Sequence, residues 1–351
     1  MASTLSKRIE NILGRSENDN EILLSLTQLL SEQEHQLAKQ KVSRTIAELY
    51  DENKEVITNP DINSKLIKTG FHTLDKMLGG FSLSEFVVFG SRPGMGKSQL
   101  FVNLAINISR TIPVLYVSLD LNEFRLTSKF ISTLTGIELQ NLVQMKLSEP
   151  ELELVNSTKR DINKLNLLVN DEYGGSLMNF RAMCQKHIEE QGIQVIIVDE
   201  LQLMIPAFKY RNSRELEISS ISKAMKDIAK DFNVCVIAGS QLNRGVEGRT
   251  SHEGKRPYLS DLRESGAIEQ DADKVIFLHR PEYYRITEDV QGKSLIGIAE
   301  LIISKNRLGP LGEVLIKRTS NFSSFVDYDY QDDTEFNFSE DRLDELNDVP
   351  Y

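Results

Sequence analysis

Three features are scarce in this sequence, and each absence argues against a class of protein. There are only two cysteines, Cys184 and Cys235, each inside an apolar run, which argues against a disulfide scaffold or a zinc site. No stretch approaches the roughly 18 apolar residues that a membrane span needs. The first residues, MASTLSKRIENIL, lack the apolar core of a secretory signal. We therefore expect a cytoplasmic protein with no membrane association.

What is present is the composition of a globular protein with one acidic end. Its 40% apolar and 26% charged residues are ordinary, and 351 residues can hold one large α/β domain plus an appendage. Residues 327–348 hold ten acidic residues and one basic residue, a local charge of −9 out of a total of −11. The remaining −2 leaves the body nearly neutral and able to carry a local basic surface. We expect the tail to be solvated and disordered.

The N-terminal stretch, residues 1–58, has separated apolar stripes in a polar background, one each around Leu5, Leu26 and Leu49. Each stripe has helical spacing, but the segment is too small and too polar to form much of a core alone. We predict a helical arm that packs on another surface and ends near Pro60. The predicted domains are therefore a helical arm and linker (1–62), an α/β domain (63–328) and the acidic tail (329–351).

From about residue 66, apolar β-branched runs alternate with amphipathic segments. This alternation predicts an α/β fold with a mostly parallel central sheet covered on both faces by helices. After residue 280 the pattern becomes strand-rich, which indicates hairpins at the edge of the sheet. The predicted strands are 86–90, 114–119, 166–170, 194–199, 234–239 and 274–279, then 297–304, 312–319 and 323–328. The predicted helices are about 97–110, 122–135, 176–190 and 213–231.

The stretch FVVFGSRPGMGKSQLFVNLAIN (86–107) has the order of strand, glycine-rich loop and helix that a nucleotide phosphate-binding loop requires. Backbone N–H groups and the helix N-terminus would surround the phosphates, Lys97 would neutralise the outer ones, and the Ser98 hydroxyl would ligate Mg²⁺. The first glycine of the motif is replaced by Ser91. The residues predicted to line the nucleotide are Ser91, Arg92, Pro93, Gly94, Met95, Gly96, Lys97, Ser98 and Gln99.

Carboxylates and an amide at the ends of other predicted strands would complete an ATPase site. Asp199 ends the apolar run Val195–Val198, so we expect it beside the phosphate loop, holding Mg²⁺ directly or through water. Asp120 and Glu200 compete as the general base. Strand alternation predicts that Asp199 and Glu200 point to opposite faces unless the strand breaks at Glu200, which favours Asp120. Gln241, at the end of the run 234–239, could sense the γ-phosphate.

Several longer stretches resemble the ATPase domain of DnaB-type replicative helicases, within the RecA-like superfamily. The most specific is SDLRESGAIEQDAD (260–273). The resemblance implies a RecA-like αβα sandwich that uses ATP and Mg²⁺, and Ser91 in place of the first glycine is common in that family. The other stretches that carry it are 69–98, 196–204, 212–244, 256–284 and 303–310.

The resemblance also implies roles for single residues. Asp199 matches the metal-coordinating Asp, Asp120 falls where the family usually has a catalytic Glu, and Gln241 matches the γ-phosphate sensor. Lys305 and Arg307 match basic residues that reach the neighbouring subunit's ATP. The residues that match loops along the DNA backbone are Arg211, Arg214, Arg263, Glu264 and Gly266.

These matches imply a ring, expected to be a hexamer, that moves along single-stranded DNA by ATP hydrolysis and unwinds duplex 5′ to 3′ in DNA replication. One alternative is a RecA- or RadA-like recombination ATPase without processive unwinding. Another is an assembly protein that hydrolyses ATP weakly, which the shorter Asp120 favours. The family usually has a larger N-terminal domain, so loader or primase contacts are open, although Lys41–Val56 resembles the family's linker helix.

Overall fold

The computed structural model describes residues 44–59, 66–171, 176–206, 213–249 and 253–328, with four single helical positions at Ile9, Ile12, Leu26 and Leu29. For residues 263–265 it describes the backbone only. The rest of the predicted N-terminal arm, Arg211, and the acidic tail from residue 329 lie outside the described residues. The chain divides into two compact units, Met1–Ser64 and Lys65–Tyr351.

In the first unit, helix α1 (Ile46–Thr58) begins with a capping box. The Thr45 hydroxyl accepts from the Glu48 N–H at 3.2 Å, and the Glu48 carboxylate accepts from the Thr45 N–H at 2.7 Å. These bonds satisfy N–H groups that the first helical turn cannot. None of its side chains is buried against the described residues, and Ile46 and Ile57 are 82% and 69% exposed. The apolar face of α1 is therefore available to another surface.

The second unit is built on a sheet of nine strands among the described residues. In space their order is β3-β2-β4-β5-β1-β6-β7-β8-β9. β1 to β6 are parallel, and β7, β8 and β9 follow as antiparallel hairpins at one edge. The predicted mostly parallel α/β fold is thus confirmed. The strands are β1 (Phe86–Ser91), β2 (Val114–Ser118), β3 (Leu167–Asn170), β4 (Val195–Asp199), β5 (Cys235–Gln241), β6 (Lys274–His279), β7 (Ile298–Asn306), β8 (Gly312–Arg318) and β9 (Phe325–Asp327).

Helices cover both faces of the sheet and divide the core into two clusters. Val87 and Phe89 of β1 belong to one cluster, whereas Phe86 and Val88 belong to the other, because successive strand residues point to opposite faces. No described helix combines the length and the apolar character that a membrane crossing needs. The helices of this unit are α2 (His72–Leu78), α3 (Lys97–Ser109), α4 (Glu123–Thr135), α5 (Leu139–Val143), α6 (Glu149–Ile162), α7 (Leu177–Gln191), α8 (Arg214–Asp231) and α9 (Gly266–Asp271).

Asp327, the last residue of β9, caps the N-terminus of α2, although it follows His72 by 255 positions in the sequence. Its carboxylate accepts from the backbone N–H groups of His72 at 2.8 Å and Thr73 at 3.3 Å, and from the Thr73 hydroxyl at 3.1 Å. A carboxylate at this position also interacts favourably with the helix dipole. The first helix and the last strand of the unit are therefore tied together.

Candidate nucleotide-binding site

The loop between β1 and α3 has the geometry of an anion cradle. Gly94 and Gly96 have φ angles of 81° and 99°, and Gly96 is the N-cap of α3. A Cβ on Gly96 would lie 3.0 Å from the Phe325 ring, and one on Gly94 would lie 3.0 Å from the Tyr283 ring. Both positions thus need glycine for conformation and for space. The first N–H groups of α3 have no partner within the helix and point out of its N-terminus.

Lys97 lies behind this loop with its ammonium between two carboxylates. Its Nζ is 3.0 Å from Asp199 Oδ1 and 2.6 Å from Glu200 Oε2, and its side chain is 9% exposed. Burial acts against the charge, but Asp199 and Glu200 outweigh it and raise the pKa of Lys97 above its ordinary value. A Cβ on Gly239 would lie 2.6 Å from Nζ, so the ammonium packs directly on the β5 backbone.

Asp199 ends β4, which lies between β2 and β5 in the sheet, and is 3% exposed. Its second oxygen accepts from the Tyr116 hydroxyl at 3.4 Å. Burial, and then the negative charge of Asp199, raise the pKa of Tyr116, so this phenol remains a neutral donor. The expectation of a carboxylate at a strand end beside the phosphate loop agrees with this placement.

Asp199 and Glu200 do not point to opposite faces, because the structure has the strand break that was the exception to this expectation. Both carboxylates contact the same Lys97 ammonium. The strand ends at Asp199, so the alternation of side chains along a strand does not extend to Glu200. Glu200 is therefore as close to the phosphate loop as Asp199 is.

Asp120, the other candidate base, is exposed in the bend that follows β2. It lies at the same edge of the sheet, because the Leu119 N–H donates to the Asp199 carbonyl at 2.9 Å. Lys129 of α4 faces this edge. Burial lowers the pKa of Lys129, and the negative charges of Asp199 and Asp120 only partly oppose that effect. Lys129 was not singled out from the sequence, because only the tertiary fold brings α4 close to these carboxylates.

Gln241, the predicted γ-phosphate sensor, is the last residue of β5 and pairs with Ser91 of β1. Its backbone N–H donates to Gln202 Oε1 at 3.1 Å, and Gln202 Nε2 donates to the Ser240 hydroxyl at 2.9 Å. Arg214, from the segment predicted to contact DNA, donates to the Gln202 carbonyl. Gln202 was not singled out from the sequence, yet it connects the predicted sensor to the predicted DNA segment.

Some predicted phosphate-loop residues have their side chains engaged elsewhere. Arg92 donates to Glu247 at 2.6 and 2.9 Å and to the Leu242 carbonyl at 2.5 Å, which fixes the loop to the segment after β5. Gln99 donates to Thr133 Oγ1 and to the Ser323 carbonyl, both at 2.7 Å. The buried Ser91 hydroxyl has no hydrogen-bond partner among the described residues.

Arg280, which the sequence did not single out, holds the loop from its outer side. Its guanidinium donates to the carbonyls of Gly94 at 3.2 Å and Met95 at 3.5 Å, and it also bonds to Glu282. Arg318 of β8 donates to the same carboxylate at 2.8 Å. Arg280 belongs to the stretch HRPEYY, which begins with the last residue of β6. The parallel pairing of β6 with β1 brings this stretch to the loop.

Lys305 and Arg307 lie at the opposite end of the sheet. Lys305 pairs with Val275, near the start of β6, whereas the phosphate loop follows the end of β1. The length of β6 separates the two ends by about 20 Å, at about 3.3 Å per residue. Arg307 donates to the Gln270 carbonyl at 2.8 Å and lies 3.3 Å from Asp273. Both side chains are therefore engaged away from the phosphate loop of their own chain.

Lys305 also donates to the carbonyls at the C-terminal end of α9, those of Glu269 and, at 3.3 Å, Gln270. Burial, and then the charge of Arg307, lower the pKa of Lys305. Helix α9 follows the predicted DNA loop, whose residues Arg263 and Glu264 form part of a short 3₁₀ segment, Leu259–Ser265. A Cβ on Gly266 would meet no described atom within 4 Å, so this chain itself does not require glycine there.

The residues of the site fit a nucleotide with Mg²⁺. The glycine cradle, the helix N-terminus and the buried Lys97 suit phosphate oxygens. Among the described residues no group of three His, Cys, Asp or Glu side chains could hold a metal. Mg²⁺ that binds with a nucleotide takes one or two protein oxygens besides phosphates and water, and Ser98 and Asp199 are the candidates for them here.

Comparison with known proteins identifies the family. The DnaB-like helicase C-terminal domain profile matches residues 67–327. Over 299 residues the chain is 33% identical to the replicative DNA helicase DnaB of Geobacillus stearothermophilus, covering 85% of this chain and 64% of that relative. This chain therefore spans less than two thirds of the relative's length.

Two solved structures are also similar. One is an ATPase domain that matches with a TM-score of 0.73 and 32% identity, over 82% of this chain and 100% of that one. The other is a DnaB-like replicative helicase, described together with its interactions with primase. It matches with a TM-score of 0.71 and 30% identity, over 93% of this chain and 76% of that one. With its parallel sheet, its glycine cradle and these matches, the chain belongs to the DnaB-like helicase C-terminal domain family.

Proposed function

We propose that this chain is an ATP-driven DNA helicase motor that translocates on single-stranded DNA as a homo-oligomeric ring in DNA replication. The observation that carries the proposal is the buried Lys97 behind a glycine cradle, held at the metal-ligand candidate Asp199. The relatives' name, replicative DNA helicase, supports it. Unwinding 5′ to 3′ and a hexameric ring are part of the proposal.

In the proposed site, the backbone from Gly94 to Ser98 binds the phosphates of ATP and Lys97 neutralises them. Ser98 and Asp199 hold Mg²⁺, which when bound neutralises charge on the phosphate oxygens. Arg280 keeps the loop in place through its carbonyls. The side chains of Arg92 and Gln99, which were also predicted to contact the nucleotide, bond within the chain instead. In this proposal Arg92 holds the loop in place and Gln99 holds α3 in place.

The general base in this proposal is Asp120, at the position of the family's catalytic Glu. Its exposed carboxylate at the edge beside Asp199 can accept a proton from water. Glu200 is the alternative, and its position beside Lys97 makes it a stronger rival than the sequence indicated. Substitution of each carboxylate decides between them, as set out in the Discussion.

Hydrolysis in the proposed ring needs two subunits. Lys305 and Arg307 are at the far end of their own sheet, so each would complete the site of a neighbour and stabilise charge on the transferring phosphoryl group. The exposed apolar face of α1 gives a second contact by which subunits would assemble. A DnaB-like relative was solved with its primase interactions. A primase or loader is therefore a candidate partner here.

DNA would bind through two loops, one containing Arg211 and Arg214 and the other containing Arg263, Glu264 and Gly266. Their contacts would be to the backbone of single-stranded DNA, independent of sequence. The chain from Gln241 through Gln202 to Arg214 supports a link between nucleotide state and the first loop.

The test is ATP turnover with and without single-stranded DNA, followed by strand displacement on forked duplexes. Turnover that DNA stimulates, together with unwinding of 5′-tailed forks, is the expected result. Stimulated turnover without displacement would favour the recombination ATPase, and binding of ATP with almost no turnover would favour the assembly protein. Lys97→Ala is the inactive reference in each assay.

A further inference from the structure

Glu200 places a second negative charge on an ammonium that already has a partner. Asp199, 4% exposed, is enough to balance the single positive charge of Lys97. Glu200 then approaches the same Nζ more closely, at 2.6 Å against 3.0 Å for Asp199. The three groups together carry a net charge of −1, at the place where a polyanion has to bind.

Lys97 has little freedom to satisfy phosphates and Glu200 together. Its ammonium packs against the β5 backbone at Gly239 and lies 5.8 Å from the centre of the Phe101 ring. An ammonium has three donors, and two of them are directed at carboxylates here. One donor is left for a phosphate oxygen, so a ligand that bonds to Lys97 through two phosphate oxygens must displace one carboxylate.

Glu200 is the carboxylate that can leave at lower cost. Its side chain is 20% exposed, whereas Asp199 is 4% exposed and also accepts from Tyr116. A released Glu200 regains water, while a released Asp199 would remain buried.

Given the ATP site proposed above, on which this depends, we propose that Glu200 is a lock on the phosphate-binding lysine. In the nucleotide-free protein it holds Lys97 and competes with the phosphates for it, so that Glu200 sets the affinity of the site for nucleotide. Ligands with several phosphate charges displace it, and those with few do not.

The test is the dissociation constant for ADP and for a non-hydrolysable ATP analogue, measured by calorimetry on the full chain with and without Mg²⁺. Glu200→Gln keeps the shape of the side chain and removes its charge. This variant should bind both ligands about tenfold more tightly, because the phosphates no longer have to replace a hydrogen bond between two charged groups. The matched control is Glu123→Gln, which removes an equal charge by the same substitution from an exposed residue in the first turn of α4. It should change affinity much less.

Unchanged or weaker binding by Glu200→Gln would overturn the lock, and so would an equal gain in Glu123→Gln, which would show a general charge effect. Glu200→Ala repeats the measurement with the side chain removed, and it should shift affinity in the same direction. Since neither ligand is hydrolysed, the result does not depend on which carboxylate is the base. Failure of the wild-type chain to bind any nucleotide would instead refute the ATP site itself, and the lock with it.

Discussion

A mixture of two inactive variants tests whether each ATP site is shared between subunits. Arg307→Ala and Lys97→Ala should each lose turnover alone, on the order of a thousandfold for the arginine. Arg307 lies about 20 Å from the phosphate loop of its own chain, by the length of β6. An active site then needs Lys97 from one subunit and Arg307 from the next, so mixing the variants should restore activity.

The size of the recovery follows from the pairing of subunits. With equal amounts and random assembly, four kinds of interface form, and one kind has both residues intact. If interfaces act independently, turnover should return to about a quarter of the wild-type value. If Arg307 acted within its own chain, every subunit would lack one of the two residues, and the mixture would stay inactive.

A matched control uses the doubly substituted chain mixed with wild type in equal amounts. A shared site again predicts about a quarter of the activity, whereas a site within one chain predicts about a half. ATP turnover is measured at saturating single-stranded DNA, and native mass spectrometry counts the mixed rings. An inactive mixture of the single variants in demonstrated mixed rings would refute the placement of Arg307 in a neighbour's site.

Four further changes test other parts of the site. Lys97→Ala should still fold, but it leaves two carboxylates without their cation, so urea unfolding of the nucleotide-free protein should show a loss of about 3 kcal/mol; an unchanged midpoint would contradict the pairing. Arg263→Ala should weaken single-stranded DNA binding for all sequences and reduce the salt slope by about one in anisotropy titrations. Asp120→Asn should abolish turnover and spare ATP binding while Glu200→Gln stays active; the reverse pattern would make Glu200 the base. Deleting residues 1–58 should shift the ring towards monomer in sedimentation velocity, unless the ATPase interfaces suffice.

Much of this site could be predicted because its signals are local. A glycine-rich turn between an apolar strand and a helix specifies a phosphate cradle within about ten residues, and Asp199 is marked by the buried strand before it. The parallel sheet followed from the alternating pattern, since strands buried on both faces are continuously apolar.

What the sequence did not reveal depends on long-range geometry or weak patterning. Helix α6 was not predicted from the sequence, and Thr158 is the only one of its residues that is buried. Arg280 reaches the loop only because β6 pairs with β1. The orientation of Glu200 depends on whether β4 ends before or after it, and the sequence does not mark the end of the strand to within one residue.

The cap that Asp327 places on α2 has a consequence for how the unit can be cut and rejoined. Asp327, the last residue of the segment that matches the family, is bonded to the start of α2, five residues after that segment begins at residue 67. Whatever precedes and whatever follows this segment therefore departs from one region of its surface. A short linker from Tyr328 to Leu66 could close the chain into a circle, and new termini could then be opened in an exposed loop elsewhere. The site therefore depends on how the elements pack in space and not on their order along the chain.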